Sequence, residues 1–140
     1  MNHIQAVVKE IRKTDVVTYI DVACGETHLH LIKYKAPSWL ALGDKVDCTF
    51  QEVSVCVSKE CPGKVSVENK LPVQLKEVRQ SESLCELTFE SEIGTVVSLI
   101  TKNAYEELDL VPNCDATMLI RGVDISIEPL LDFTRMQYAN

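Results

Sequence analysis

The sequence predicts an all-β protein with short helices, built from two tandem copies of a small five-stranded barrel. Three observations support this fold class: an internal repeat, two matching series of short β-branched segments, and one brief helical segment after the third segment of each series. Five strands with a single helix between the third and the fourth form the partly open barrel of OB-like domains. We therefore expect two OB-like β-barrel subdomains.

The internal repeat runs along most of the chain. Residues 2–12 return as residues 69–79, and residues 31–36 return as residues 99–104. The offset grows from 67 residues to 68 and then to 70, as expected when loops between matched elements change length. A unit of about seventy residues is a small domain, because solenoid repeats are shorter.

Strands and helices follow from the residue pattern of each copy. Segments that alternate apolar and polar residues and are rich in β-branched side chains predict strands. These segments are 4–11, 16–22, 28–34, 46–50 and 53–58 in the first copy, and 71–79, 84–90, 95–101, 115–121 and 123–127 in the second. A brief helix is predicted over 36–42, where Pro37 suits the first turn, and another over 103–108. The apolar residues from 130 to 140 are expected to dock on a barrel, where they can add a strand.

The Pro62–Gly63 pair divides the chain. A Pro-Gly dipeptide is typical of a turn, and it lies in the linker between the two copies. We therefore assign residues 1–62 to the first subdomain and residues 63–140 to the second. Domains of this size bury modest cores, which favours packing of the two halves and formation of a homo-oligomer.

Charge and composition argue against several classes of function. The net charge is −7 and aromatic residues make up 6% of the chain, whereas nucleic-acid binding needs clustered cations and usually stacking rings. No apolar run reaches the roughly 18 residues of a membrane span, and the N-terminus has no signal-peptide pattern. The sequence therefore predicts a cytoplasmic protein that binds neither nucleic acid nor membrane.

The six cysteines and the absence of a catalytic pattern fit that prediction. In a reducing compartment cysteines are expected to be buried thiols rather than disulfides. We recognise no nucleophile paired with a base and no glycine-rich loop for phosphate. The sequence therefore predicts a protein that is not an enzyme.

Three segments of the second copy resemble the molybdenum-pterin-binding (Mop, or TOBE-type) domain. They are the opening at 69–79, the segment 97–108 and the segment 116–127. The first copy is similar in plan, with Asn2 at its opening and a Gly-Asp-x-Val turn over 43–46. The tandem arrangement resembles the molbindins. The resemblance implies OB-like barrels, oligomers with strands exchanged between modules, and molybdate or tungstate bound at interfaces between modules.

The resemblance also implies which residues bind the oxyanion. Molybdate is a tetrahedral dianion, so it needs N–H or O–H donors and positive charge, which helix N-termini, hydroxyls and Lys or Arg side chains supply. Thr101 stands where the family places a ligand hydroxyl, and Arg121 stands where the family has a lysine. The other candidates are Lys102, Asn103 and Ala104 as backbone donors, Lys33 and Lys35 in the first copy, and Asn2, Ser66 and Asn69 from the openings of the two copies.

The Ser-Ala-Arg-Asn signature of the family is incomplete in this chain. The chain begins Met1-Asn2, and the second copy has Glu68 where the signature has arginine. A carboxylate repels a dianion. Two hypotheses therefore stand: a protein that stores or buffers molybdate or tungstate, or a degenerate copy of the fold that serves protein–protein assembly. A third hypothesis is a transition-metal site, because His28 and His30 share a strand face near Cys24.

Several of these residues also have a structural interpretation. Thr101 suits the N-cap of a helix. Arg121 suits an ion pair with a nearby carboxylate, and the Lys33 and Lys35 side chains suit a solvated surface. Trp39 suits the core beneath an apolar helix.

Overall fold

The computed structural model describes residues 1–130, which form two five-stranded antiparallel sheets. The strands of the first half are β1 (Asn2–Lys13), β2 (Thr18–Cys24), β3 (Thr27–Lys33), β4 (Lys45–Phe50) and β5 (Cys56–Ser58). Those of the second half are β6 (Asn69–Gln80), β7 (Leu84–Ser91), β8 (Gly94–Thr101), β9 (Asp115–Ile120) and β10 (Ser126–Pro129), with the helix α1 (Lys102–Glu107) between β8 and β9. The prediction of an all-β fold with OB-like sheets is confirmed. The predicted docking of residues 131–140 lies outside the described residues.

Each sheet takes its fifth strand from the other half of the chain. The strand order is β10-β4-β1-β2-β3 in the first sheet and β5-β9-β6-β7-β8 in the second. Ser126 of β10 lies opposite Thr49 of β4, and Cys56 of β5 lies opposite Leu119 of β9. The strand exchange that the resemblance implied therefore occurs here within one chain. The proposed subdomains 1–62 and 63–140 thus complete each other's sheets.

The fifth strands are shorter than the sequence predicts. Single 3-10 turns, Glu52–Ser54 and Gly122–Asp124, occupy the first residues of the two predicted segments. The strands begin only after these turns. Both turns lie where the two halves of the chain meet.

The apolar faces of both sheets form one continuous core. The alternating residues of β1 and β6 show the same sequence of buried and exposed positions, which is the signature of a strand with one face in the core. Burial of each large apolar side chain contributes about 1.5–3 kcal/mol. The largest fully buried side chains are Phe50, Phe89, Ile20, Leu29, Leu31, Leu75, Leu87, Met118, Ile120 and Ile125.

The two halves bend their long first strand in the same way. β1 and β6 each carry a register shift, after Val8 and after Leu75 respectively. The carbonyl oxygens of these residues accept hydrogen bonds from the backbone N–H groups of Gly43 and Asn113, at 2.8 and 2.6 Å. Both donors have positive φ, a conformation that glycine and asparagine adopt most easily. The Gly-Asp-x-Val turn is therefore a structural device of the fold.

The predicted helix over 36–42 is wrong. Residues 34–44 form a loop in which the N–H of Leu40 donates to the Pro37 carbonyl at 3.2 Å, and Trp39 is 38% exposed rather than part of the core. A helix that matches α1 would span residues 34–39 and place Pro37 in its interior, where proline lacks the N–H of a helical hydrogen bond and disfavours the helical conformation of Ala36. Lys33 corresponds in the repeat to Thr101, which lies directly before the helix of the second half. The lysine side chain has no oxygen that could accept a hydrogen bond at a helix N-terminus.

The predicted helix of the second half is confirmed as α1, and Thr101 is its N-cap. The Oγ1 atom of Thr101 accepts a hydrogen bond from the N–H of Ala104 at 3.1 Å. A helix of six residues has few internal hydrogen bonds, so its cap is a large share of its local stability.

We expect Thr101→Ala to lower the free energy of unfolding by about 1 kcal/mol, the usual cost of losing an N-cap. Urea denaturation followed by circular dichroism measures this difference. Thr101→Ser is the matched control, because serine retains the capping oxygen and is expected to keep the stability of the original chain. Equal stability of the alanine and serine variants would show that the cap contributes nothing.

The cysteines divide into three groups. Cys48 and Cys85 are buried as expected, and Cys24 and Cys114 are partly buried. Burial raises the pKa of the Cys48 thiol to about 12, so this group stays protonated and unreactive. Cys56 and Cys61 are exposed, which contradicts the expectation of burial. Within residues 1–130 no helix is long and apolar enough to cross a membrane.

Candidate functional site

The two halves meet at two related junctions formed by the 3-10 turns. Gly122–Asp124 of the second half packs against β3 of the first, and we call this contact the β3 junction. Glu52–Ser54 of the first half packs against β8 of the second, and we call this contact the β8 junction. Both junctions bring together residues of the two repeats, which is where the resemblance implied an oxyanion site.

The Asn69 side chain connects the second half of the chain to β3 of the first half. Its Oδ1 atom accepts a hydrogen bond from the His30 N–H at 2.7 Å, and its Nδ2 group donates to the His30 carbonyl at 2.9 Å. The same Nδ2 group donates to the Ile120 carbonyl at 3.0 Å. Both amide hydrogens of this buried side chain are therefore used within the protein. Asn69 has no side-chain donor left for an anion.

Asn2 has the corresponding role at the β8 junction. Its Nδ2 group donates to the Val97 carbonyl at 2.9 Å, and its Oδ1 atom accepts from the Val97 N–H at 2.8 Å. Asn2 and Asn69 thus each satisfy the backbone groups of an edge strand in the opposite half. The two asparagines predicted as oxyanion ligands hold the halves together.

Lys33 and Arg121, predicted from different copies, come together at the β3 junction. Arg121 makes two hydrogen bonds with Asp124, from Nε at 2.9 Å and from Nη2 at 3.2 Å. Burial lowers the pKa of the half-buried Lys33, while the nearby carboxylate of Asp124 acts in the opposite direction. Both cations therefore lie near the Asp124 carboxylate, with which Arg121 forms the direct ion pair.

Glu68 contributes a second carboxylate to the same junction. Its Oε1 atom accepts a hydrogen bond from the backbone N–H of Gly122 at 2.7 Å. The acid that stands where the signature has arginine therefore occupies a backbone donor of the 3-10 turn. The sequence placed Glu68 beside the oxyanion site, but it did not reveal that Glu68 binds the 3-10 turn.

The β8 junction carries the opposite arrangement of charge. In the repeat, Met1 corresponds to Glu68 and Glu52 corresponds to Gly122. The amino group of Met1 forms an ion pair with the carboxylate of Glu52, and this hydrogen bond is the main cause that lowers the pKa of Glu52. The sequence did not predict this ion pair, although the repeat places Met1 and Glu52 at the positions that correspond to Glu68 and Gly122.

A cleft beside the β3 junction has a largely acidic lining. Its volume is about 270 Å³, and its carboxylates are Glu10, Asp21 and Glu68. Arg12 is the guanidinium among the lining residues, and it stacks on the Tyr19 ring at 4.7 Å from the centroid. This cleft is unsuited to a dianion because its carboxylates outnumber its cations.

The N-terminus of α1 offers fewer backbone donors than the sequence implied. The N–H of Lys102 donates to the Ser83 carbonyl at 2.9 Å, and the N–H of Ala104 is taken by the Thr101 cap. These bonds remove two of the three predicted backbone donors. The Thr101 hydroxyl hydrogen, the Lys102 ammonium and the Asn103 amide remain as side-chain donors. Lys35 and Ser66 are exposed, the first in the 34–44 loop and the second in the linker before β6.

The histidines do not form a metal centre. His28 and His30 are both exposed on one face of β3, and His28 Nδ1 lies 2.7 Å from the Asp21 carboxylate. Across residues 1–130, no group of three or more His, Cys, Asp or Glu side chains is placed to hold a metal ion. The transition-metal hypothesis therefore has no site in the described part of the chain.

The two exchanged, curled sheets define a mostly β, OB-like class of fold. Among solved structures, the chain is similar to the cytoplasmic molybdate-binding protein ModG in a crystal form with molybdate bound. The TM-score is 0.86 at 21% sequence identity, over 92% of this chain and 96% of the ModG chain. No family model and no curated protein matches the sequence. The similarity to ModG establishes the fold of this chain.

Proposed function

We propose that this chain binds molybdate or tungstate in the cytoplasm and stores or buffers the oxyanion without catalysing a reaction. The observation that supports the proposal is the fold it shares, over nearly its whole length, with a protein crystallised with molybdate. The position of Lys33 and Arg121, one from each repeat, near the same Asp124 carboxylate supports it further.

The proposed ligands fall into two sets. At the β3 junction, the Lys33 and Arg121 side chains provide charge, and Lys35 adds a cation from the neighbouring loop. Near α1, the Thr101 hydroxyl donates its hydrogen while its oxygen caps the helix, and Lys102 and Asn103 contribute side-chain donors. Charged hydrogen bonds of this kind are among the strongest that a protein offers an anion.

The remaining candidate residues have weaker or structural roles. Asn2 and Asn69 position the edge strands, and the backbone of Ala104 belongs to the cap. Ser66 is exposed close to Glu68 in sequence. A further copy of the chain placed against either set would bring additional donors, and we therefore propose a homo-oligomer as the binding form.

Isothermal titration calorimetry of the full chain with sodium molybdate and sodium tungstate tests the proposal. We expect a dissociation constant in the micromolar range or below and a raised melting temperature, with sulfate and phosphate as comparison anions. Arg121→Gln and Lys33→Gln are expected to weaken binding at least tenfold, because each removes a charged donor worth about 1.5–3 kcal/mol. No heat and no thermal shift at millimolar oxyanion would exclude the proposed function.

Arg79→Gln is the matched control for these variants. Arg79 is an exposed arginine on β6 whose nearest carboxylate, in Glu86, lies 3.9 Å away. Its removal changes the net charge by the same amount as Arg121→Gln. Equal weakening by both variants would show that long-range charge, rather than contact with the oxyanion, governs binding.

The second candidate function is protein–protein assembly by a module that has lost its ligand. Two carboxylates at the β3 junction, Glu68 and Asp124, favour this function because each occupies a donor that an anion needs. Analytical ultracentrifugation with and without molybdate separates the two candidates. An oligomer that persists unchanged while calorimetry detects no binding would support assembly.

A further inference from the structure

The loop of residues 34–44 carries an exposed apolar surface. Tyr34 is 85% exposed, Leu42 is 66% exposed and Trp39 is 38% exposed. Leu40, in the same loop, packs against the core and so holds the loop on the first sheet. We call the three exposed side chains the apolar loop face.

The second half of the molecule has no such surface at the matching positions. In the repeat, Lys102 corresponds to Tyr34 and Glu107 corresponds to Trp39. Leu110, which corresponds to Leu42, is buried. At two of the three positions an aromatic side chain of the first half therefore replaces a charged one, and at the third a leucine is exposed in the first half but buried in the second. Such a replacement is expected where another segment covers the surface.

The described part of the chain ends next to this loop. β10 is antiparallel to β4, and the N–H of Leu130 donates to the Lys45 carbonyl at 3.0 Å, next to the end of the loop. Residues 131–140, which start next to Leu130, can span at most about 33 Å when extended.

A contact of the same kind follows the other exchanged strand, β5. The linker that follows β5 contacts the loop that follows α1, because Lys59 Nζ donates to the Asp109 carbonyl at 3.1 Å. In the repeat, residues 59–64 correspond to the residues that follow β10. The segment after one exchanged strand thus already contacts the loop that corresponds to residues 34–44.

We propose that residues 131–140 dock on the apolar loop face of the same chain. This segment reads Leu-Asp-Phe-Thr-Arg-Met-Gln-Tyr-Ala-Asn and carries apolar side chains at Leu131, Phe133, Met136 and Tyr138. These side chains are the chemical complement of Tyr34, Trp39 and Leu42. The inference does not depend on oxyanion binding, although the covered loop also carries the proposed ligand Lys35.

The single tryptophan of the chain reports on this contact directly. In the full chain, we expect Phe133→Asp and Met136→Asp to shift Trp39 emission to longer wavelength by several nanometres. We also expect the acrylamide quenching constant to rise about twofold, because the indole loses its cover. Thr134→Asp is the matched control, since it adds the same charge to a polar position and is expected to leave both quantities unchanged.

Three results would overturn the proposal. One is that Phe133→Asp and Met136→Asp leave the quenching of Trp39 as it is in the original chain. Another is that Thr134→Asp has the same effect as the apolar replacements, which would indicate a general effect of charge. The third is protection of Trp39 that disappears on dilution, which would assign the cover to a second copy of the chain. Far-UV circular dichroism of each variant checks that the sheets remain folded.

Discussion

Replacing Asn69 with alanine is expected to lower the free energy of unfolding by about 3 kcal/mol. The side chain is buried and makes three hydrogen bonds, two with the backbone of His30 and one with the Ile120 carbonyl. Alanine leaves these backbone groups without partners inside the β3 junction, and each buried unsatisfied group costs about 1–3 kcal/mol. Water entering the space left by the amide compensates for part of this loss. Urea denaturation at neutral pH measures the difference.

Asn2→Ala and Asn103→Ala provide the matched comparison. Asn2 makes two hydrogen bonds of the same kind at the β8 junction, so its replacement is expected to cost about 2 kcal/mol. Asn103 is exposed at the first turn of α1, and its replacement is expected to change the stability by less than about 0.5 kcal/mol. Similar effects at all three positions would contradict the role assigned to the buried pair.

Gly122→Ala is expected to lower the free energy of unfolding by about 2–3 kcal/mol. Gly122 is buried, and a Cβ atom there would lie 2.7 Å from the His30 carbonyl oxygen and 3.2 Å from Glu68 Oε1. The carbonyl belongs to the backbone of β3, so relief requires the 3-10 turn to move away from the strand. That movement also lengthens the hydrogen bond from Gly122 to Glu68.

Val123→Ala is the control for this prediction. It lies in the same 3-10 turn, and its side chain is 46% exposed, so its loss is expected to cost less than about 0.5 kcal/mol. Thermal and urea unfolding of both variants, measured side by side, give the comparison. A Gly122→Ala protein as stable as Val123→Ala would show that the junction adapts to a side chain without strain.

Local pattern was sufficient to predict the strands and the OB-like class. The alternation of buried and exposed residues in β1 and β6 depends only on neighbours two positions apart, so the sequence displays it directly. The helix over 36–42 failed for an equally local reason, the proline that restricts Ala36. The exchange of β5 and β10 was implied by the resemblance but not by the residues. Strands of three and four residues carry too little pattern to specify a partner.

The candidate site was predictable only in part. Lys33 and Arg121 both lie at the β3 junction, and their role as oxyanion ligands, which the resemblance implied, stays a prediction. Their carboxylate partner Asp124 and the bond between Glu68 and Gly122 were not predicted. Glu68 and Gly122 lie 54 residues apart in the sequence, and their contact depends on how the two halves pack. Asn2 and Asn69 were assigned to the ligand, although their identical place in both repeats equally suits a structural role.

The exchange of the fifth strands gives the linker between the repeats a thermodynamic role. Neither sheet is complete without a strand from the other half, so the halves are in effect two partners of a domain-swapped pair joined by residues 59–68. A linker of this length holds such partners at an effective concentration in the millimolar range. Assembly of the two sheets is therefore independent of protein concentration. Cutting the linker would convert the same fold into a two-chain complex that dissociates on dilution.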